Sequence, residues 1–146
     1  LVATLGLGAT GVFAYNLLFL GALVHLPASR TSLIVALNPA ITIAAAALIF
    51  GETLGARRWA GVAVALAGVT IVVSRGELAG LFGGAVGRGE LMMFAAICAW
   101  AAYTLIGRGM LEGLTPLAAT TWATLLGTAM LAAVAAPGLA DVDWAA

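Results

Sequence analysis

At 146 residues, the chain is 64% apolar before glycine is counted and only 8% charged, with net charge zero. Soluble domains are about 45 to 50% apolar with glycine included and about 25% charged, so this composition excludes a soluble globular domain. The balance of six Arg against four Glu and two Asp, with no Lys, also lacks the basic face that nucleic acid requires, and no nucleic-acid partner is expected.

What remains is an all-α polytopic membrane protein. Five transmembrane helices of about 20 residues each would take up most of the chain and leave only short loops. Cys98 is the single cysteine and lies in an apolar run, so no internal disulfide is expected. The chain opens at Leu1 on a hydrophobic run with no basic leader, which predicts a fragment of a longer protein rather than a signal peptide.

The first span is expected over Leu5 to Val24. Within it GLGATG, Gly6 to Gly11, fits the dinucleotide pattern G-x-G-x-x-G. That pattern needs an acid about 20 residues on within a soluble βαβ unit, whereas the first acid here is Glu52. The glycines are read instead as points of close helix approach. Tyr15 and Asn16 form a polar pair deep in the span, and a buried amide needs a partner or water. Both an interhelical hydrogen bond and the lining of a cavity are open to it. His25 is read as interfacial, since there is no second His to pair with it.

After a tight connection at Pro27 to Arg30, with Ser29 or Ser32 available as a cap, comes the stretch around which the chain is expected to be organised. TSLIVALNPAITIAAAALIFGE, Thr31 to Glu52, holds no ionisable group before Glu52. Pro39 has no N–H to give the Val35 carbonyl, so it predicts a break in the middle of a membrane helix. In lipid such a break is tolerated where protein or a water-filled cavity supplies the missing partner. At about 100° per residue, Thr31, Val35, Asn38, Thr42 and Ala45 share one stripe, which points the freed carbonyl, the Asn38 amide and the Thr42 hydroxyl the same way. Glu52, at a helix C-terminus where the dipole disfavours it, is expected to pair with Arg57 or Arg58. Those two stand outside Trp59 as an interfacial anchor.

The third span, Trp59 to Ser74, carries Gly61, Ala65 and Gly68 at i, i+4 and i+7, a small-residue stripe expected to pack against a neighbour. Arg75 to Glu90 is too glycine-rich for a stable helix and reads as a junction between two halves. A fourth span covers Leu91 to Gly107, with Trp100 and Tyr103 as an aromatic pair at helical spacing, serving either core packing or a substrate surface. The fifth starts with Thr115 as N-cap and Pro116 at the first helical position. It is expected to stop at Pro137-Gly138, before an interfacial tail holding Asp141, Asp143 and Trp144.

The segments YNLLFLGALVHLPAS, SLIVALNPAITIAAAALIFGETL and RRWAGVAVALAGVTIVV resemble the end of an EamA-type repeat of the drug/metabolite transporter superfamily. GELMMFAAICAWAAYTLIGR and TPLAATTWATLLGTAML resemble the opening of a second repeat. The resemblance implies a division into 1–75, the last three helices of one repeat; 76–90, an inter-repeat loop; and 91–146, the first two helices of the next. It further implies ten spans in two inverted five-helix repeats around a cavity, with the missing helices of the same protein as partners. The location implied is a bacterial-type inner (plasma) membrane. There the Arg57-Arg58 loop and the Arg108 turn face the cytoplasm and the glycine-rich junction faces outward.

The function implied is that of a secondary transporter exporting or exchanging small metabolites such as amino acids by alternating access. Inverted repeats with a site at a broken helix are a general transporter plan. The expected substrate-binding residues are Tyr15, Asn16, Asn38, Pro39, Thr42, Trp100 and Tyr103. The expected partners are a small-molecule substrate and the lipid bilayer, and no cofactor, metal or catalytic residue is expected. A membrane enzyme would need a nucleophile, base or metal cluster within the bilayer, and the spans offer no acid and no paired His. A structural or oligomerising membrane subunit is the alternative, favoured by the Ala/Gly faces but silent on Asn38-Pro39.

Overall fold

A computed structural model describes residues 2–74, 87–110 and 115–139. The glycine-rich junction at 75–86, the turn at Glu112 and the tail with Asp141, Asp143 and Trp144 lie outside the described residues. Five helices are long and apolar enough to cross a membrane. The first span joins α1 (Val2–Leu7), a π-helical segment (Gly8–Ala14) and α2 (Tyr15–Leu23) without a gap. The second is interrupted, as α3 (Ala28–Val35) and α4 (Asn38–Phe50). Then follow α5 (Ala56–Val73), α6 (Arg88–Met110) and α7 (Pro116–Leu139).

Several ends depart from the sequence reading for local reasons. α3 begins earlier than expected, with Pro27 as its N-cap, extended at φ −65° and ψ 147°. Ser29 and Ser32 therefore sit inside the helix, where the Ser32 hydroxyl donates to the Ser29 carbonyl at 2.9 Å. α4 ends at Gly51, whose φ of +65° closes the helix in the left-handed conformation that glycine adopts without strain. The Thr115 hydroxyl accepts the Ala118 N–H at 3.2 Å, the N-cap bond expected of it. Pro137 does not stop α7, which runs on to Leu139. A proline so near a helix end removes only one backbone bond, and residues 132–138 around it are exposed.

The centre of packing is α6 rather than the broken span. Met93, Ala96 and Ile97 are fully buried and form one cluster with Ala22 of α2, Leu26 just after the first span, and Ile34 and Leu37 of the second. A second cluster joins Leu7 to Ala119 and Ala123 of α7, with Tyr103 and Ile106 of α6 against it. Glycine sets the closest crossing. A Cβ on Gly8 would stand 2.9 Å from the Ala123 carbonyl oxygen and 3.1 Å from the Gly127 nitrogen, so the π-helical segment and α7 meet backbone to backbone. Gly11 likewise leaves room for the ring of Tyr103. Part of the G-x-G-x-x-G stretch therefore serves helix approach.

The stripe on α5 behaves differently. A Cβ at Gly61 or Gly68 would meet no described atom within 4 Å. α5 leans on α3 and α4, and it reaches the core through Ala65, Val69 and Val73 instead. Of the expected stripe only Ala65 contributes among the described residues.

Charged side chains tie the ends. Arg30, in the first turn of α3, lies 3.1 Å from Glu90 in the first turn of α6 and donates to the Val73 carbonyl at the end of α5. At the opposite end Arg108 pairs with Glu52. Spans two and four are thus parallel, start to start and end to end.

Candidate functional site

The break in the second span is a two-residue turn. Ala36 and Leu37 stay near the right-handed helical region, at φ −60°, ψ −14° and φ −71°, ψ −15°. The Leu37 N–H reaches back only three residues, to the Ile34 carbonyl at 3.0 Å. Pro39 falls in the first turn of α4, where a missing N–H is tolerated, and it leaves the Val35 carbonyl without its helical donor. Beside it, Asn38 Oδ1 is buried with no hydrogen-bond partner among the described residues. Burying a polar atom unpaired costs about 1 to 3 kcal/mol, so this oxygen is an available acceptor beside the bend.

The first span carries a π-helical segment, packed on α6 and α7, that sequence reasoning missed. Its signals were present in the glycines of GLGATG and in the flanking polar residues. The Thr10 hydroxyl donates to the Gly6 carbonyl at 2.7 Å, and the Asn16 amide donates to the Val12 carbonyl at 2.7 Å. Among the described residues Asn16 therefore serves a carbonyl of its own helix and makes no interhelical bond, one of the two readings the sequence left open. Such π turns recur at functional sites. Tyr15 follows directly, stacked on Phe19 with ring centroids 5.6 Å apart and 5.1 Å from Trp100. Trp100 in turn lies 5.4 Å from Tyr103. Three of the candidate residues, Tyr15, Trp100 and Tyr103, thus form one aromatic wall spanning two helices.

The other candidates sit elsewhere. Thr42 lines a cavity of about 400 Å³ between α4, α5 and α6, together with Thr104, Glu52, Arg58 and Arg108. Pro39 faces a separate cavity of about 350 Å³ shared with Ala40, Gly61 and Ala65 of the α4–α5 side. Tyr103, Thr104 and Arg108 also border a third space of about 250 Å³ against Pro116 and Thr120. Thr104 and Arg108 are functional candidates that the sequence reading passed over. With Trp100 they repeat at i, i+4 and i+8, which is the signal that would have found them.

The electrostatics of the larger cavity correct one expectation. Glu52 pairs with Arg108, not with Arg57 or Arg58. Gly51 turns the chain toward the C-terminal end of α6, where Arg108 is favoured by the helix dipole and lies 5.3 Å above the Phe50 ring. Arg57 and Arg58 sit in the first turn of α5, its positive end. Among the described residues Arg58 has no acidic partner within ion-pair distance, and it lines the cavity beside the neutral Glu52–Arg108 pair. Among the same residues no group of three or more His, Cys, Asp or Glu side chains is placed to hold a metal ion.

Five membrane-length helices with no strand among the described residues, one of them broken beside the unpartnered Asn38 Oδ1, define a multi-pass helical membrane protein. The chain belongs to the EamA-like transporter family, whose model matches residues 1–74. It is 29% identical over 133 residues to the uncharacterized transporter YyaM of Bacillus subtilis, covering 91% of this chain and 44% of that one. It is 32% identical over 124 residues to an uncharacterized transporter of Archaeoglobus fulgidus, covering 85% of this chain and 41% of that one. A third relative, named a probable terminal-alkyne amino-acid exporter in Streptantibioticus cattleyicolor, is 38% identical over 69 residues, 47% of this chain and 23% of the relative. The chain spans less than half the length of these relatives. No solved structure matches it.

Proposed function

We propose that these spans belong to a secondary transporter that exports or exchanges small metabolites such as amino acids by alternating access, in a bacterial-type inner membrane. In this reading they are spans three to seven of ten, with the two repeats meeting at 76–90. The observation that carries it is the buried, unpartnered Asn38 Oδ1 beside the Pro39 break. An unsatisfied acceptor at membrane depth is tolerated only where another helix or a solute completes it. In this reading Tyr15, Trp100 and Tyr103 supply an aromatic wall, and Thr42 supplies a hydroxyl in the cavity between α4, α5 and α6. The name of the Streptantibioticus relative supports an amino-acid derivative as cargo. A purely structural subunit would gain nothing from leaving Asn38 unpaired.

The test is counterflow of a panel of radiolabelled amino acids by the full-length protein in proteoliposomes, wild type against Asn38→Ala. Loss of one hydrogen bond worth about 0.5 to 1.5 kcal/mol predicts a KM raised by about twofold to about 13-fold. No counterflow of any member of the panel by the wild type overturns the reading. An unchanged KM in Asn38→Ala removes Asn38 from the site.

A further inference from the structure

Spans two and four run parallel and are tied at both ends by ion pairs of opposite order, Arg30 to Glu90 at the start and Glu52 to Arg108 at the end. Between the ties α6 is continuous, while span two is interrupted at Ala36 and Leu37. Each half of span two therefore has its own attachment to one rigid partner. α3 can leave α6 without α4 doing so.

The two ties are unlike. The side chains of Glu52 and Arg108 are 37% and 57% exposed, beside the cavity of about 400 Å³. Those of Arg30 and Glu90 are only 14% and 9% exposed. At this buried end three helix termini converge on one guanidinium. Arg30 meets Glu90 and donates to the Val73 carbonyl that ends α5. The second carboxylate oxygen of Glu90 accepts the Gly87 N–H at 2.9 Å, as in a capping box. Thr31 and Ile34 lie sealed directly beneath, at 1% and 3% exposure.

A buried ion pair repays its desolvation only when every remaining donor and acceptor is satisfied. This one falls short, because Arg30 Nε is buried without a partner among the described residues. Separation would rehydrate both charges and that orphan donor together. Such a contact closes firmly and still opens, unlike a permanent staple.

We propose that the Arg30–Glu90–Val73 junction is the gate that shuts the solute path at this end of the bundle, and that it opens when α3 swings from α6 about the Ala36–Pro39 break. The proposal rests on the transporter reading above, but its test reads accessibility and not transport. The full-length protein, with Cys98→Ala, is placed in lipid nanodiscs that expose both faces to a sulfonated, membrane-impermeant maleimide. Reporter cysteines are introduced separately at Thr31, under the junction, and at Ala46, a wall of the cavity at the other end.

Glu90→Gln removes one charge of a buried pair and is expected to speed labelling at Thr31 by about tenfold or more, with no gain at Ala46. Glu90→Asp keeps the charge but shortens its reach, and is expected to fall between wild type and Glu90→Gln. If Glu90→Gln is not recovered folded, the comparison of Glu90→Asp with wild type decides by the same criteria. Unchanged labelling at Thr31 overturns the gate. So does acceleration at both reporters together, which is general loosening. Absence of counterflow by the wild type strikes the transporter reading alone.

Discussion

Replacing Pro39 with alanine separates the functional role of the bend from its contribution to folding, because the two respond with opposite sign. The turn at Ala36 and Leu37 already lies near helical dihedrals, so an N–H at position 39 would be free to join the Val35 carbonyl and make Ala28 to Phe50 one helix. The new bond is worth about 0.5 to 1.5 kcal/mol, and proline inside a helix costs about 3 kcal/mol. Part of that cost is absent here, since Pro39 occupies a first turn. The bias toward a straight helix is then about 2 kcal/mol, which at 1.36 kcal/mol per tenfold shifts the equilibrium about 30-fold. Pro39 is exposed, so little packing is lost with it. The full-length Pro39→Ala protein is expected to melt at or above the wild-type temperature and to show counterflow slower by about 30-fold. Transport within twofold of wild type at undiminished stability would show that the bend is not used. A lowered melting temperature would show that the reasoning about straightening is wrong.

Gly127→Ala places a Cβ 2.7 Å from the Gly8 carbonyl oxygen, so it should destabilise by about 1 to 3 kcal/mol. Gly68→Ala, open on the same measure, should stabilise by up to about 1 kcal/mol through helix propensity. Melting of both variants at the same temperature, or of Gly127→Ala above Gly68→Ala, would overturn the assigned crossing. For orientation, a cysteine at Ala56, exposed at the start of α5, in a Cys98→Ala background should resist impermeant thiol reagents in intact cells. Ready labelling there would place the Arg57-Arg58 loop outside.

The sequence made some of this structure legible and hid the rest for identifiable reasons. Proline and glycine act locally, so the Pro39 break, the Gly51 terminus and the Thr115 cap could be read from neighbouring residues. The ion pairs could not. Glu52 and Arg108 are 56 residues apart, whereas Arg57 and Arg58 are adjacent in sequence but stand at the wrong end of a helix dipole. The π-helical segment was hidden because its glycines invite a packing explanation that is itself correct at Gly8 and Gly11.

The displacement of the core from the broken span to α6 follows from the solvent. In water the buried face of a helix is its apolar face, and periodicity finds it. In lipid every face is apolar, and association is driven by close packing and polar contacts instead. Leu48, Leu117 and Val2 are as hydrophobic as anything in the chain, and each is about four-fifths exposed. Ala22, Ala96 and Ala123 are almost completely buried. Small residues and unpaired polar atoms therefore mark the interior of this bundle. On that criterion Ala96, Ala101 and Ala123 point to the α6 neighbourhood as the packed side, while Asn38 points to the side where span two must still find a partner.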